Sequence, residues 1–228
     1  MSAPPNPLVV ALDTSDLDAA LALADAVVTE VGMVKVGLEL FTAAGPAAVS
    51  RLADRAPVFL DLKLHDIPTT ASRAARNAGR LGASMLTVHA LGGPEMVRAA
   101  VEGAAEGAVE EGLVPPELVA VTVLSSLAEA AGASPASLAF EAVTAGARGA
   151  VVSGDDVQHV REALGEEPLL VVPGIRPSGA RSNDHARVLS PVEAIEAGAD
   201  RLVVGRPITE STDPAAAARA ILEEIGAR

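Results

Sequence analysis

The segment 57–81, PVFLDLKLHDIPTTASRAARNAGRL, joins a short, mostly apolar run to a longer Ala-rich stretch. The run 57–63 has the length and residue types of a buried strand, and residues 69–81 have the composition and spacing of a helix. A nearly continuous apolar strand followed by a helix is typical of a parallel sheet with covered faces. The segment therefore predicts one strand–helix unit of an α/β protein.

The same unit recurs along the chain. Strands are predicted at 8–13, 33–37, 57–63, 84–89, 118–125, 149–153, 169–174 and 201–205. Helices are predicted near 16–31, 45–54, 69–81, 94–111, 134–146, 155–164, 191–198 and 214–226. Such a series predicts a single-domain (β/α)8 TIM barrel over residues 1–228, with a Pro-rich lead-in at 1–7. A doubly wound open sheet is the alternative, but it usually has fewer strands, and no Gly-x-Gly-x-x-Gly follows the first strand.

Three of the helices have recognisable start signals. Ser190-Pro191-Val192-Glu193 predicts a capping box, and Ser134-Pro135 and Asp213-Pro214 repeat its pattern of a capping residue followed by proline. The helix at 69–81 also has a face of small residues at helical spacing, namely Ala71, Ala74, Ala75 and Ala78. That face predicts close packing, either of the helix within the barrel or of two subunits.

The composition argues against several classes of protein. A net charge of −13 is unlike that of nucleic-acid-binding proteins, which usually carry a basic face. The absence of cysteine excludes disulfides and thiolate sites. No apolar run reaches the roughly 18 residues of a membrane helix, and the N-terminus lacks a signal-peptide pattern. We therefore expect a cytoplasmic protein that binds neither nucleic acid nor a membrane.

Polar residues recur at the predicted C-terminal ends of the strands, where barrel enzymes place their catalytic groups. They are Asp13, Lys35, Asp61 with Lys63, His89, Ser125, Ser153, Gly174 with Arg176, and Gly205 with Arg206. Phe59, Asp61 and Lys63 share one face of the third strand, because alternate side chains point to the same side. Asp61 and Lys63 are then roughly 6–7 Å apart along the strand. The alternative is an ion pair kept for packing, but a buried pair is weak evidence for stability, so we favour a functional site.

Two segments that contain glycine and arginine predict a phosphate site. Pro173-Gly-Ile-Arg-Pro177 follows the seventh strand, and Gly205-Arg-Pro-Ile-Thr209 follows the eighth. Glycine lets backbone N–H groups approach an anion, arginine adds a bidentate donor, and barrels often bind phosphate after these two strands. Either segment alone is equally well explained as a turn with a surface arginine. Together, at the ends of adjacent strands, they favour a phosphate site.

A metal site is not expected. Two lysines compete for the carboxylates among the metal-capable residues, which are Asp13, Asp61, Asp66 and His89. His65 and His89 are each expected to be structural. No His–Asp pair is recognisable around Ser125 or Ser153, so a serine nucleophile is not expected either.

The chain resembles the orotidine 5'-phosphate decarboxylase family, in particular its bacterial type. The resemblance runs from the first strand to the last helix, through the segments 10–13, 35–37, 59–70, 88–90, 121–126, 173–177 and 204–209. Its most specific part is Asp61-Leu-Lys63-Leu-His65-Asp66-Ile67-Pro68. It implies a homodimeric barrel that converts orotidine 5'-phosphate to UMP and CO2 without a metal or an organic cofactor.

The resemblance also implies roles for individual residues. The charged catalytic network would comprise Lys35, Asp61, Lys63 and Asp66, with Lys63 protonating carbon 6 of the pyrimidine. Asp66, Ile67 and Thr70 would enter the site of the partner subunit. The remaining substrate-binding residues would be Asp13 and Lys35 at the ribose, Ser125 and Ser126 at the pyrimidine, and Arg176, Gly205 and Arg206 at the phosphate.

Two positions depart from the family pattern. The loop at 177–185, expected to close over the substrate, has Asn183-Asp184-His185 where Gly-Asp-Gln is common. His185 would replace a glutamine that reaches the phosphate and pyrimidine. An imidazole cannot reproduce both hydrogen bonds of that amide, although it can donate to an anion. Thr69 stands where asparagine is frequent.

Two other functions are alternatives. A magnesium-dependent sugar-phosphate decarboxylase, or an aldol synthase or epimerase on the same scaffold, would share the Asp-x-Lys-x-x-Asp pattern. Residues 65–68 and 173–177 favour the nucleotide enzyme instead. A non-catalytic protein that binds nucleotide phosphates would be expected to lack a charge of the network, and all four are present.

Overall fold

Eight parallel strands close into a barrel in chain order in the computed structural model, which describes residues 6–123, 134–177 and 189–226. The strands are β1 (Leu8–Ala11), β2 (Met33–Val36), β3 (Val58–Leu64), β4 (Met85–His89), β5 (Glu117–Val121), β6 (Gly149–Val151), β7 (Leu169–Pro173) and β8 (Arg201–Val204). Val9 of β1 stands opposite both Met33 and Val203, so the last strand pairs with the first. The predicted (β/α)8 TIM barrel is confirmed.

Helices surround the barrel. They are α1 (Leu17–Val27), α2 (Leu38–Ala44), α3 (Pro46–Ala53), α4 (Pro68–Arg80), α5 (Gly93–Glu110), α6 (Pro135–Thr144), α7 (Asp156–Leu164), α8 (Pro191–Glu196), α9 (Arg206–Thr209) and α10 (Pro214–Glu224). A short 3-10 turn, Ala90–Gly92, leads into α5. Within the described part of the chain, no helix combines the length and the apolar character needed to cross a membrane.

Several predicted boundaries were wrong. Most strands end before their predicted limits; β1, for example, ends at Ala11 rather than at 13. By contrast, β3 continues to Leu64, and α1 ends at Val27 rather than at 31. The helices α2 and α9 were not predicted, because each follows a glycine, Gly37 or Gly205, that provides no side-chain cap.

The predicted helix caps are confirmed. Ser190 accepts a hydrogen bond from the backbone N–H of Glu193, whose carboxylate accepts one from the backbone N–H of Ser190. These two bonds complete the capping box of α8. The backbone N–H and the hydroxyl of Ser190 both donate to the carboxylate of Glu193 and hold its pKa below the ordinary value. Ser134 and Asp213 cap α6 and α10 in the same way, through one backbone N–H each.

The side chains inside the barrel form a small apolar layer. Its buried members are Val9, Ala11, Met33, Phe59, Met85, Val119, Val171 and Val203. A larger layer of aliphatic residues and alanines fills the space between the strands and the helices. Because alternate residues of β3 face inward, Phe59 belongs to the inner layer, and Asp61 follows it on the same face toward the carboxyl end.

The helices α4 and α5 pack through small residues on both sides. A Cβ added to Gly79 of α4 would overlap a backbone carbonyl of α5, and a Cβ added to Gly103 or Gly107 of α5 would overlap a backbone carbonyl of α4. Arg76 and Arg80 of α4 also pair with Glu110 of α5. Of the small-residue face predicted at 71–78, Ala71, Ala75 and Ala78 are buried in the aliphatic core of this barrel.

We expect Gly107→Ala to lower the free energy of unfolding by roughly 1–3 kcal/mol, because the added methyl group would overlap the carbonyl oxygen of Arg76. The loss should appear although alanine has the higher helix propensity. Urea denaturation followed by circular dichroism measures it. Glu102→Ala, on an exposed position of α5, is the control. A Gly107→Ala protein as stable as the control would contradict the close packing.

Candidate active site

Four charged side chains meet at the carboxyl ends of β1, β2 and β3, and we call them the charged cluster: Asp13, Lys35, Asp61 and Lys63. The Nζ atom of Lys35 lies 3.2 Å from Oδ1 of Asp13 and 3.8 Å from Oδ2 of Asp61. The Nζ atom of Lys63 lies 2.8 Å from both carboxylate oxygens of Asp61. The acidic and basic groups therefore alternate, and Asp61 joins the two ammonium groups.

Lys35 and Lys63, which supply the two ammonium groups of the cluster, are the only lysines in the sequence. The chain has 17 basic residues in all, and the others are arginines. The side chain of Lys35 is 10% exposed and that of Asp61 14%, whereas that of Lys63 is 31% exposed. Asp61 is thus the buried centre of the cluster, and Lys63 has access to solvent.

The backbone of β3 is irregular where it presents Lys63. Leu60 pairs with Leu86 of β4, but Leu64 pairs with Val88, so β3 uses two more residues than β4 over this interval. Lys63 has a φ of +52°, and it is the only described residue other than glycine with a positive φ. Backbone strain of this kind is concentrated at functional sites. Sequence patterns of period two do not predict such an irregularity.

Thr87 contacts both members of the Asp61–Lys63 pair and was missed by the sequence reasoning. Its side chain is fully buried in β4. Its hydroxyl accepts a hydrogen bond of 2.7 Å from the backbone N–H of Lys63 and donates one of 3.0 Å to Oδ1 of Asp61. Its position between Met85 and His89 could have identified it from the sequence, because alternate residues of a strand share one face. A polar side chain on the inward face is buried and needs a hydrogen-bond partner.

His65 and His89 form a stacked pair beside the charged cluster. Their ring centroids are 5.0 Å apart, and the planes are inclined by 25°. Nδ1 of His89 accepts a hydrogen bond from the backbone N–H of Leu91. Burial lowers the pKa of His89 below its ordinary value, and the nearby His65 and Lys63 lower it further. His89 is therefore held as a neutral ring at the edge of the site.

Asp66, Ile67 and Thr70 do not join the charged cluster within this chain. All three are exposed, and Ile67 is 67% exposed. Oδ1 of Asp66 accepts a hydrogen bond of 2.7 Å from the backbone N–H of Ile67. In the described part of the chain, Asp66 forms no ion pair. These residues form an exposed surface of mixed polarity that follows β3 in the chain.

The segments predicted to bind phosphate lie at the same end of the barrel. Gly174, which has a φ of +77°, is exposed, and the backbone N–H of Arg176 donates to the carbonyl of Leu189. Gly205 precedes α9, and a Cβ added there would lie 3.7 Å from Oδ2 of Asp13. Arg206 is exposed. The predicted site residues Ser125, Ser126 and His185, and most of the loop 177–185, lie outside the described residues.

A pocket opens beside the charged cluster. Lys35, Asp61 and Lys63 form its polar wall. The rest of the lining is mostly apolar and consists of Phe59, Val121, Val123, Val151, Val152, Ser153, Pro173 and Val203. A mostly apolar pocket with a few charged groups on one side is typical of a small-molecule site. Among residues 6–123, 134–177 and 189–226, no three carboxylate or imidazole side chains are grouped so as to hold a metal ion.

A parallel barrel with paired acidic and basic groups in a pocket at the carboxyl ends of its strands has the architecture of a TIM-barrel enzyme. The model of the orotidine 5'-phosphate decarboxylase / HUMPS family matches residues 6–221. The chain belongs to this family.

Individual relatives resemble the chain over nearly its whole length. The orotidine 5'-phosphate decarboxylase of Anaeromyxobacter dehalogenans is 54% identical and covers 96% of this chain and 97% of its own. That of Paramagnetospirillum magneticum is 46% identical and covers 97% of this chain and 99% of its own. The crystal structure of the orotidine 5'-phosphate decarboxylase from Lactobacillus acidophilus matches with a TM-score of 0.83 and 36% identity, covering 97% of this chain and all of that one.

The lowered pKa of His89 gives a pH dependence of stability. The unfolded chain binds a proton on this imidazole at a higher pH than the folded chain does, so stability falls as the pH drops through about 6.5. We expect His89→Gln to lose less stability than the wild type between pH 7.5 and pH 5.5, measured by urea denaturation. His159→Gln, on an exposed position of α7, is the control. Equal losses in the wild type and His89→Gln would contradict the assignment.

Proposed function

We propose that this protein is a carboxy-lyase that converts orotidine 5'-phosphate to UMP and CO2 in de novo pyrimidine biosynthesis. The observation that carries the proposal is the Asp61–Lys63 pair, whose ammonium group faces a pocket with apolar walls. The relatives named orotidine 5'-phosphate decarboxylase match nearly the entire chain, which supports the same activity here.

Lys63 is the proposed proton donor. Loss of CO2 leaves negative charge on carbon 6 of the pyrimidine, where the ring delocalises it poorly. An ammonium group fixed beside that carbon stabilises the developing charge and then transfers a proton to it. Both oxygens of Asp61 lie 2.8 Å from Nζ of Lys63, so the carboxylate fixes the direction of the ammonium group.

Asp13 and Lys35 are proposed to hold the ribose hydroxyls. Lys35 is buried and lies between Asp13 and Asp61, which fix its position. The side chain of Asp13 is 60% exposed, so its carboxylate can accept a hydrogen bond from a ribose hydroxyl. Lys35 also offsets the negative charge of the two carboxylates. A hydroxyl-bearing sugar would therefore place the base over the apolar floor of the pocket.

The phosphate is proposed to bind at the loops after β7 and β8, near Arg176, Gly205 and Arg206. Short helices after β8 are a common phosphate-binding device in barrels, and α9 begins at Arg206. We also propose that Ser125 and Ser126 contact the pyrimidine and that His185 donates to the phosphate. Binding energy from the remote phosphate would orient the ring, so a substrate without phosphate should react more slowly.

A homodimer with shared sites is proposed because Asp66, Ile67 and Thr70 are exposed just after β3, the strand that carries Asp61 and Lys63. Ile67 is 67% exposed, and Leu91, which follows β4, is 44% exposed. A second subunit would bury them and bring Asp66 to the charged cluster of its partner. The cluster would then contain a carboxylate on each side of Lys63.

We expect Lys63→Ala to lower turnover by at least about a thousandfold, since it removes both the proton donor and the charge that stabilises the carbanion. UMP binding should persist, because the ribose and phosphate contacts remain. Loss of the orotate chromophore measures turnover, and calorimetry measures binding. Arg55→Ala removes a cation that precedes β3 at the other end of the barrel, and it should leave turnover unchanged. Turnover by Lys63→Ala near that of the wild type would contradict the proton-donor role.

The shared site is tested by mixing two inactive variants, Lys63→Ala and Asp66→Asn. Each mixed dimer would contain one site with both native residues and one site with neither. An equal mixture that exchanges subunits freely should therefore recover about a quarter of the wild-type activity. Each variant alone is the control, and a mixture as inactive as its components would count against the shared site.

Metal-free catalysis is tested with a chelator. We expect the wild type to consume orotidine 5'-phosphate at an unchanged rate in excess EDTA, since the proposed steps use only Lys63 and its carboxylate neighbours. Adding magnesium back to the chelated protein is the control. Loss of activity in EDTA that magnesium restores would favour a metal-dependent enzyme on the same scaffold.

A further inference from the structure

Thr87 replaces a missing partner in the strand ladder between β3 and β4. Regular pairing beyond Leu60 would place Lys63 further along β4, but the register shift interrupts the ladder before Leu64. A buried backbone N–H that loses its ladder partner needs another acceptor. The hydroxyl of Thr87 is that acceptor for Lys63, at 2.7 Å.

The same hydroxyl fixes the acidic partner of Lys63. A hydroxyl has one proton to donate, and in Thr87 it is directed to Oδ1 of Asp61, at 3.0 Å. One oxygen atom therefore links the backbone that presents the ammonium group to the carboxylate that binds it. Because Thr87 is fully buried, water does not compete for either bond.

We propose that Thr87 is a positioning residue, which holds the Lys63 backbone in its left-handed conformation and directs Asp61 toward the Lys63 ammonium group. The effect of this role on catalysis rests on the proposed function. Without the hydroxyl, the N–H of Lys63 would lack an acceptor and one oxygen of Asp61 would lack a donor. Residues 61–63 would then relax toward regular pairing with β4, and Nζ of Lys63 would move away from its position at the pocket.

Another buried threonine provides a matched control. Thr122 is 1% exposed, and its hydroxyl donates to the backbone carbonyl of Val151 at 3.1 Å. No bond of this side chain reaches the charged cluster. Thr87→Val and Thr122→Val each replace one buried, hydrogen-bonded hydroxyl with a methyl group of similar size, so they differ in location rather than in chemistry.

The first experiment compares the kinetics of these variants. We expect Thr87→Val to lower kcat at least about tenfold while KM changes less than about threefold, because each lost bond involves or supports a charged group. Thr87→Ser keeps the hydroxyl and should stay within about threefold of the wild-type kcat. Thr122→Val should lose stability but retain kcat. If Thr87→Val does not fold, Thr87→Ala takes its place.

The second experiment observes Lys63 without any assay of activity. Because the sequence contains two lysines, protein labelled with ¹³C at lysine Cε should give two side-chain NMR signals. Lys63→Arg assigns them. We expect Thr87→Val to shift the Lys63 signal and Thr122→Val to leave it in place.

The two experiments separate the inference from the proposed function. An inactive wild type would refute the proposed function, and the lysine signals would still decide whether Thr87 holds Lys63. An active wild type together with a Thr87→Val protein of equal kcat and unshifted Lys63 signal would overturn the inference alone. A Thr122→Val protein that loses as much kcat as Thr87→Val would also overturn it, since any buried hydroxyl would then have the same effect.

Discussion

The ion pair between Asp61 and Lys63 is the interaction on which the rest of the site depends. Removing two charges from water is costly, and their attraction offsets that cost only when the geometry is good and the remaining lone pairs are bonded. Both conditions are met here, because the carboxylate also faces Lys35 and accepts the hydroxyl proton of Thr87. The strained backbone at Lys63 is part of the same arrangement, and the closed barrel beneath it supplies the rigidity that maintains the strain.

The net charge of the molecule and the charged groups at the pocket would act in opposite ways on an anionic substrate. A formal charge of −13 repels an anionic substrate. Salt screens that repulsion at separations beyond about 10 Å. Within the pocket, the two lysines balance the two carboxylates of the charged cluster. Under the proposed function, the positive charge that binds the phosphate would come from Arg176, which follows β7, and Arg206, the first residue of α9. Attraction would then be confined to short range, where it would also orient the substrate.

The sequence was sufficient to predict the barrel and the group of charged residues at the strand ends. Short apolar strands that alternate with helices specify a parallel barrel, and side-chain alternation places Asp61 on the inward face beside Phe59. The φ of Lys63, the register shift and the bonds of Thr87 were not predictable in this way. They arise from the fit between two strands, whereas a sequence pattern describes one strand at a time. The helices α2 and α9 were missed for a local reason, since glycine at the capping position gives no signal.

The restriction of lysine to the charged cluster has a consequence for proteolysis. A protease that cuts only after lysine has two target bonds in this sequence, one after Lys35 in β2 and one after Lys63 in β3. Cleavage requires a segment to detach and extend across the protease, so neither bond is accessible while the barrel stays closed. The remaining basic residues are arginines, so such a protease has no other target. Its cleavage rate would therefore report how often β2 or β3 detaches from the barrel.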